Sequence, residues 1–150
     1  MKKWVKILIG ILTTIVVLFI AAILAGYIVL RTQGWHIGTP REIQGTYQQK
    51  LPKNSPLGFG GVIKIRPYST ESASSGMPVI KASDMLWRKV GTDAYLVRGW
   101  GKASGMYQGG ETRVVYYKYG NAIYAQSYKD YKVQMYSDPY YRTKKLVFKQ

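Results

Sequence analysis

Residues 111–137 read ETRVVYYKYGNAIYAQSYKDYKVQMYS, and this stretch decides the fold. Tyrosine and β-branched residues run up to Gly120-Asn121 and away from it, and that dipeptide suits the two-residue turn of a β-hairpin. The turn sets a register in which Tyr119 opposes Ala122, Tyr117 opposes Tyr124 and Val115 opposes Gln126, while Tyr116 faces Ala125 and Lys118 faces Ile123. A second turn at Lys129-Asp130 extends the hairpin into a three-stranded meander, bringing Val133 beside Gln126 and Met135 beside Tyr124. One face then collects Val115, Tyr117, Tyr119, Ala122, Tyr124, Tyr128, Tyr131, Val133 and Met135 and is expected to be buried. The opposite face collects Val114, Tyr116, Lys118, Ile123, Ser127, Lys132, Gln134 and Tyr136 and is expected to meet water. Side chains alternate along a strand, so a one-residue slip exchanges the two sets completely.

Upstream of this meander the chain carries further short β-type runs. Residues 43–49 (IQGTYQQ), 62–66 (VIKIR), 78–81, 85–90 and 94–99 are strand candidates, and Thr143 to Lys149 (TKKLVFK) supplies a last strand after the Asp138-Pro139 turn. Between them, residues 50–61 (KLPKNSPLGFGG) and 69–76 (STESASSG) read as loops. Gly99-Trp100-Gly101 and Gly109-Gly110 read as strand-end turns, since no helix follows to complete a phosphate loop. About eight strands without an intervening helix imply an all-β domain, an antiparallel small barrel or sandwich.

Gly45-Thr46-Tyr47 at the head of the first strand, the hairpin-linked meander after it and the basic final strand resemble the lipocalin-like (calycin-type) small barrels, in which a Gly-x-Trp opens the first strand. Here Tyr47 stands for the Trp. The resemblance implies a cup-shaped barrel with Gly45 and Tyr47 in structural roles and Arg142 as their closing partner. It transfers no ligand.

Ahead of the β-region, Ile7 to Leu30 (ILIGILTTIVVLFIAAILAGYIVL) runs 24 residues without a charged side chain. As a helix it measures roughly 36 Å, enough to cross a hydrocarbon core of about 30 Å with a modest tilt. Lys2, Lys3 and Lys6 crowd its short N-terminal flank, which places residues 1–6 in the cytoplasm and the rest of the chain outside. Trp4 at one end and Tyr27 and Trp35 at the other suit the two interfacial belts. The run is too long for a secretory signal core, whose apolar region spans roughly 7–15 residues, so an uncleaved signal anchor is expected. The chain thus divides into a basic head (1–6), a transmembrane helix (7–30), a juxtamembrane linker (31–42) and an all-β extracytoplasmic domain (43–150).

The chain carries a formal net charge of +15. Beyond Leu30 it holds 19 Lys and Arg against seven Asp and Glu, which favours polyanionic surroundings. It has no cysteine, so packing alone must hold the domain. Enzymatic constellations are missing from the pattern. The acids, Glu42, Glu71, Asp84, Asp93, Glu111, Asp130 and Asp138, are scattered, no Gly-x-Ser-x-Gly occurs, and the single histidine, His36, lies in the linker. No metal, cofactor or catalytic activity is expected.

The leading expectation is a membrane-anchored module that binds a polyanionic or sugar-rich cell-envelope polymer. Its candidate surface is Tyr116, Lys118, Lys132 and Tyr136 on the outer sheet face, joined by Lys144, Lys145 and Lys149 from the last strand. Two alternatives remain open. One is an accessory subunit docking on another membrane or envelope protein, with the small pairs Ala21/Ala25 and Ala22/Gly26 packing against a partner helix. The other is a lipocalin-like binder of a small ligand. An external position argues against nucleic acid as the partner.

Overall fold

The computed structural model describes residues 3–50 and 60–146, in two compact units, residues 1–35 and 36–150. The first unit is one helix, α1 (Lys3–Thr32), 30 residues long and apolar on every side. Its central polar side chains are satisfied within the helix, as a bilayer interior demands. Thr13 Oγ1 donates to the Ile9 carbonyl at 2.8 Å and Thr14 Oγ1 to that of Gly10 at 2.9 Å. Length and composition suit a single-pass anchor, and a signal sequence meets the same criterion.

Among its described residues the second unit is all-β apart from two short helical turns. Its strands are β1 (His36–Ile37), β2 (Gly45–Gln49), β3 (Gly61–Arg66), β4 (Ser69–Ser74), β5 (Ile80–Lys89), β6 (Ala94–Gly101), β7 (Gly110–Tyr119), β8 (Ala122–Gln126) and β9 (Tyr140–Arg142). Each strand from β2 to β9 pairs antiparallel with the next, and β9 returns to β2, so eight strands close an up-and-down barrel. Closure removes the sheet edges that an open meander would expose. The ninth strand, β1, adds onto β5 outside the ring.

The β7–β8 hairpin has the register that Gly120-Asn121 dictates, Tyr119 against Ala122 through Val115 against Gln126. Its faces, however, are the reverse of the expectation. Tyr116 is 4 % exposed and Ile123 is fully buried, and both point into the barrel with Ile43, Tyr47, Ile63, Ile65, Met85, Tyr95 and Val97. Val114 and Ala125 pack against the same core.

The third meander strand does not form. Residues 128–132 make a helical turn, α2 (Tyr128–Lys132), and Val133 and Met135 are 60 % and 64 % exposed. Ser127 caps it: its Oγ accepts the Asp130 N–H at 3.1 Å and donates to Asp130 Oδ2 at 2.7 Å. The chain from 127 to 139 then lies along the outer wall. Tyr136 packs on Tyr117 and Tyr124 with ring centroids 5.8 and 5.6 Å away, the Tyr131 hydroxyl reaches the Gly91–Ala94 corner, and Ser137 Oγ donates to the Ala125 carbonyl. Tyr131 thus covers the corner at Ala94, which is buried although its register directs it outward, and Leu96, Val115 and Ala122 are buried on the same parity. Residues of both parities are buried in this wall, so a single apolar face was the wrong criterion.

Three more segments differ from the sequence expectation. The serine-rich stretch expected as a loop is β4, paired with β3 along its whole length from a tight turn at Pro67-Tyr68. The strands expected at 78–81 and 85–90 are the single strand β5, bent where its register shifts between Ser83 and Leu86 and Asp84 takes φ +54°. That bend lets one end of β5 meet β4 and the other meet β1, while β6 runs beside both. Gly99 and Gly101 lie within β6 rather than at a turn. A Cβ on Gly99 would come within 2.8 Å of the Ser83 carbonyl, inside the bend. The final strand is β9, earlier than expected; residues 143–146 are not strand, and 147–149 lie outside the described residues.

The expected linker is also structured. A 3-10 turn (Arg41–Ile43) precedes β2 and buries Ile43 completely at one end of the barrel. Gly38 N–H donates to the Met85 carbonyl, Thr39 Oγ1 to that of Arg66 at 2.6 Å, and His36 stacks on Trp87 with centroids 4.6 Å apart. At the same end Arg142 lies over the Tyr47 ring, 5.8 Å from its centroid, and donates to the Gln44 carbonyl. Gly45 is needed beneath it, because a Cβ there would meet Arg142 Nε at 2.9 Å and the backbone has φ +154°. One end of the barrel is therefore plugged.

Candidate functional site

Among the described residues, the opposite end is open. There β4 supplies inward-facing Ser72 and Ser74, side chains too small to fill the interior across from Ile63 and Val114. A cavity of about 340 Å³ results, lined among the described residues by Val62, Ile63, Ser72, Ala73, Ser74, Arg113, Val114, Tyr116, Ala125, Gln126, Ser127 and Tyr140. A second cavity, about 300 Å³, shares Ser72, Ala73 and Ser74 with the first and continues between Met77, Pro78, Ile80, Met106 and Tyr107. Tyr107 is held there by a tight turn bridging Ser104, and its hydroxyl packs against Gly101, where any side chain would collide. Each cavity is near the lower limit for small-molecule sites, roughly 300 Å³.

The side chains that the register turns into the first cavity are neutral hydrogen-bonding groups set in apolar walls, and Arg113 borders it from the outward parity. Burial pushes the Tyr116 hydroxyl far above its ordinary pKa, with neighbouring Tyr140 adding to the shift. Burial also raises Tyr140, and Asp138 adds to it. Both are phenols, not phenolates, at neutral pH. Gln126 borders this cavity, but its pairing with Val115 turns its side chain to the outer face of the wall, where the buried amide has no hydrogen-bond partner among the described residues. Arg113, which borders the cavity, is engaged: it donates to Glu111 at 2.9 Å, and that hydrogen bond holds the Glu111 carboxyl below its usual range, helped by Arg98 at 3.4 Å.

The residues expected to form one polyanion surface are not brought together. Tyr116 is inside the barrel and lines the cavity. Lys118 is half-buried at the plugged end, where its N–H donates to the Asp93 carbonyl. Lys132 belongs to α2 and sits 4.7 Å from the centre of the Tyr128 ring. Tyr136 lies in the outer tyrosine cluster, Lys144 and Lys145 follow β9, and Lys149 lies outside the described residues. The acids remain dispersed, and no group of three His, Cys, Asp or Glu among the described residues is arranged to hold a metal.

Compared with protein-family models, with curated proteins and with solved structures, the chain matches nothing in any of the three. Sequence reasoning missed Ser72, Ser74, Tyr107 and Gln126. The available signal was in β4: Thr70, Ser72 and Ser74 have the period-2 spacing of a strand, and their small size is what leaves an interior unfilled.

Proposed function

We propose that this protein is a membrane-anchored barrel that binds a small amphipathic molecule in its open end. The observation that carries the reading is the pair of adjoining cavities, one apolar and one lined by the hydroxyls of Ser72, Ser74, Tyr116 and Tyr140. An apolar chain suits the Met77–Met106 side, and an uncharged hydrogen-bonding head suits the Tyr116–Tyr140 side. The closed eight-stranded antiparallel barrel is compatible with a lipocalin-like build, and the plugged end, with Gly45, Tyr47 and Arg142 in the arrangement described above, supports that kinship. The lysine head argues for residues 1–6 in the cytoplasm and the barrel outside.

The test is binding of a dansyl-labelled medium-chain fatty alcohol to the full-length protein in detergent-free nanodiscs, read by fluorescence. Saturable binding is expected, and Ser72→Phe, which fills the shared wall of both cavities, should abolish it without lowering the melting temperature. Binding that survives Ser72→Phe, or no saturable binding at all, would overturn the reading.

A further inference from the structure

The outer wall of β7, β8 and β9 offers a second surface, on the far side of the sheet from the cavities. Register places Tyr119 and Tyr141 on either side of Ala122, in neighbouring strands. Strands lie about 4.8 Å apart, so the two rings stand roughly 10 Å from one another. Tyr119 is 68 % exposed and Tyr141 is exposed, and Ala122 between them is small, so the two rings rise above it as the aromatic walls of a shallow trough. Tyr124, two residues along β8, extends it toward the cluster with Tyr117 and Tyr136. Lys50 sets its ammonium 4.1 Å from the centre of the Tyr141 ring, and exposed Lys144 and Lys145 follow β9 directly. Asp138 is the acid nearest in sequence to these residues.

We infer that this trough binds an anionic glycopolymer. Flat aromatic rings offer a dry surface to the apolar faces of sugar rings, and lysines offer mobile point charges to phosphate or carboxylate groups. Charge complementarity selects this occupant. The domain outside the helix is strongly basic, and cations flank the trough, whereas an apolar protein partner would find tyrosine hydroxyls and lysines at its centre. The inference is independent of the cavity reading, since the two sites use opposite faces of the wall.

Three probes separate the contributions: glucosylated poly(glycerol phosphate), the same polymer without glucose, and dextran. Each is titrated onto the full-length protein in zwitterionic nanodiscs at low and moderate salt. The glucosylated polymer should bind at least tenfold more tightly than either of the others, and more weakly as salt rises. Tyr119→Ser with Tyr141→Ser should reduce that affinity at least tenfold, while Tyr119→Phe with Tyr141→Phe retains it and Ser72→Phe leaves it unchanged. Equal affinity for the unglucosylated polymer would reduce the surface to charge alone and overturn the inference. So would failure to bind any probe, or unaltered binding by the serine variant.

Discussion

Replacing Arg142 with alanine tests how the barrel is closed. The guanidinium donates to the Gln44 carbonyl and lies 5.8 Å from the Tyr47 ring centre, linking β9 to the turn before β2. A hydrogen bond from a charged group contributes about 1.5–3 kcal/mol. A cation over an aromatic ring adds roughly 0.5–1 kcal/mol at an exposed site. Arg142 is partly in water, which argues for the low ends of both ranges, so Arg142→Ala should cost about 2 kcal/mol. For a domain of this size that lowers the melting temperature by roughly 8–16 °C. Arg142→Lys keeps a charge without the planar fork and should lose about half as much. Gly45→Ala supplies the control, because its Cβ would meet Arg142 Nε at 2.9 Å only while the arginine is present. The double variant should therefore lose at least 0.5 kcal/mol less than the sum of the singles, a coupling expected only for groups in contact. Urea unfolding of the full chain, followed by the fluorescence of Trp87 and Trp100, measures all four species. Strict additivity, or an Arg142→Ala variant within about 0.5 kcal/mol of the parent, would refute this account of closure.

Ile123→Ala removes a fully buried side chain and should cost about 2–5 kcal/mol, whereas Met135→Ala, at an exposed site, should stay within about 0.5 kcal/mol; the opposite order would return the hairpin to the inverted facing. Gly99→Ala should destabilise by roughly 1–3 kcal/mol through collision with the Ser83 carbonyl, and an unchanged melting temperature would mean that the β5 bend can move. Alkaline pH should unfold the barrel. Tyr116, Tyr140 and Tyr47 all have pKa values raised mainly by burial, so above about pH 10 the unfolded chain gives up these protons more readily than the folded one. Stability is then full below about pH 10 and falls above it, by about 1.4 kcal/mol per pH unit for the fully buried Tyr116, with Tyr140 and Tyr47 acting in the same direction. Tyr116→Phe should flatten part of that fall in a melting scan from pH 8 to 11, and an identical scan for both proteins would contradict the burial assigned to this hydroxyl.

Turn chemistry makes much of the barrel legible in the amino-acid sequence. Gly120-Asn121 fixes five cross-strand pairs, and Gly45, Tyr47 and Arg142 meet as their resemblance implies, because these depend on local geometry or on a few residues. Which face of the hairpin points inward depends on what covers the other face, and that is non-local. Tyr131, Tyr136 and Ser137 lie along the outside, and residues of both parities are buried, so alternation loses its meaning as a guide. The Ser127-x-x-Asp130 cap was readable as a helix start, yet the surrounding tyrosines and valine favoured a strand. The candidate cavity was least legible. It arises where side chains are small, and Ser72 and Ser74 resemble loop residues until β3 is known to pair with them.

β9 is three residues long, pairs with β8 at only two positions, and lies after every other strand among the described residues. A chain made from its N-terminal end therefore presents seven linked strands as an open sheet, with β2 and β8 both unpaired along one side, until Tyr140 to Arg142 emerge. Unpaired edges recruit other strands. The interval between delivery of β8 and delivery of β9 is thus the period of greatest aggregation hazard, and the crossover of residues 127–139 sets its duration.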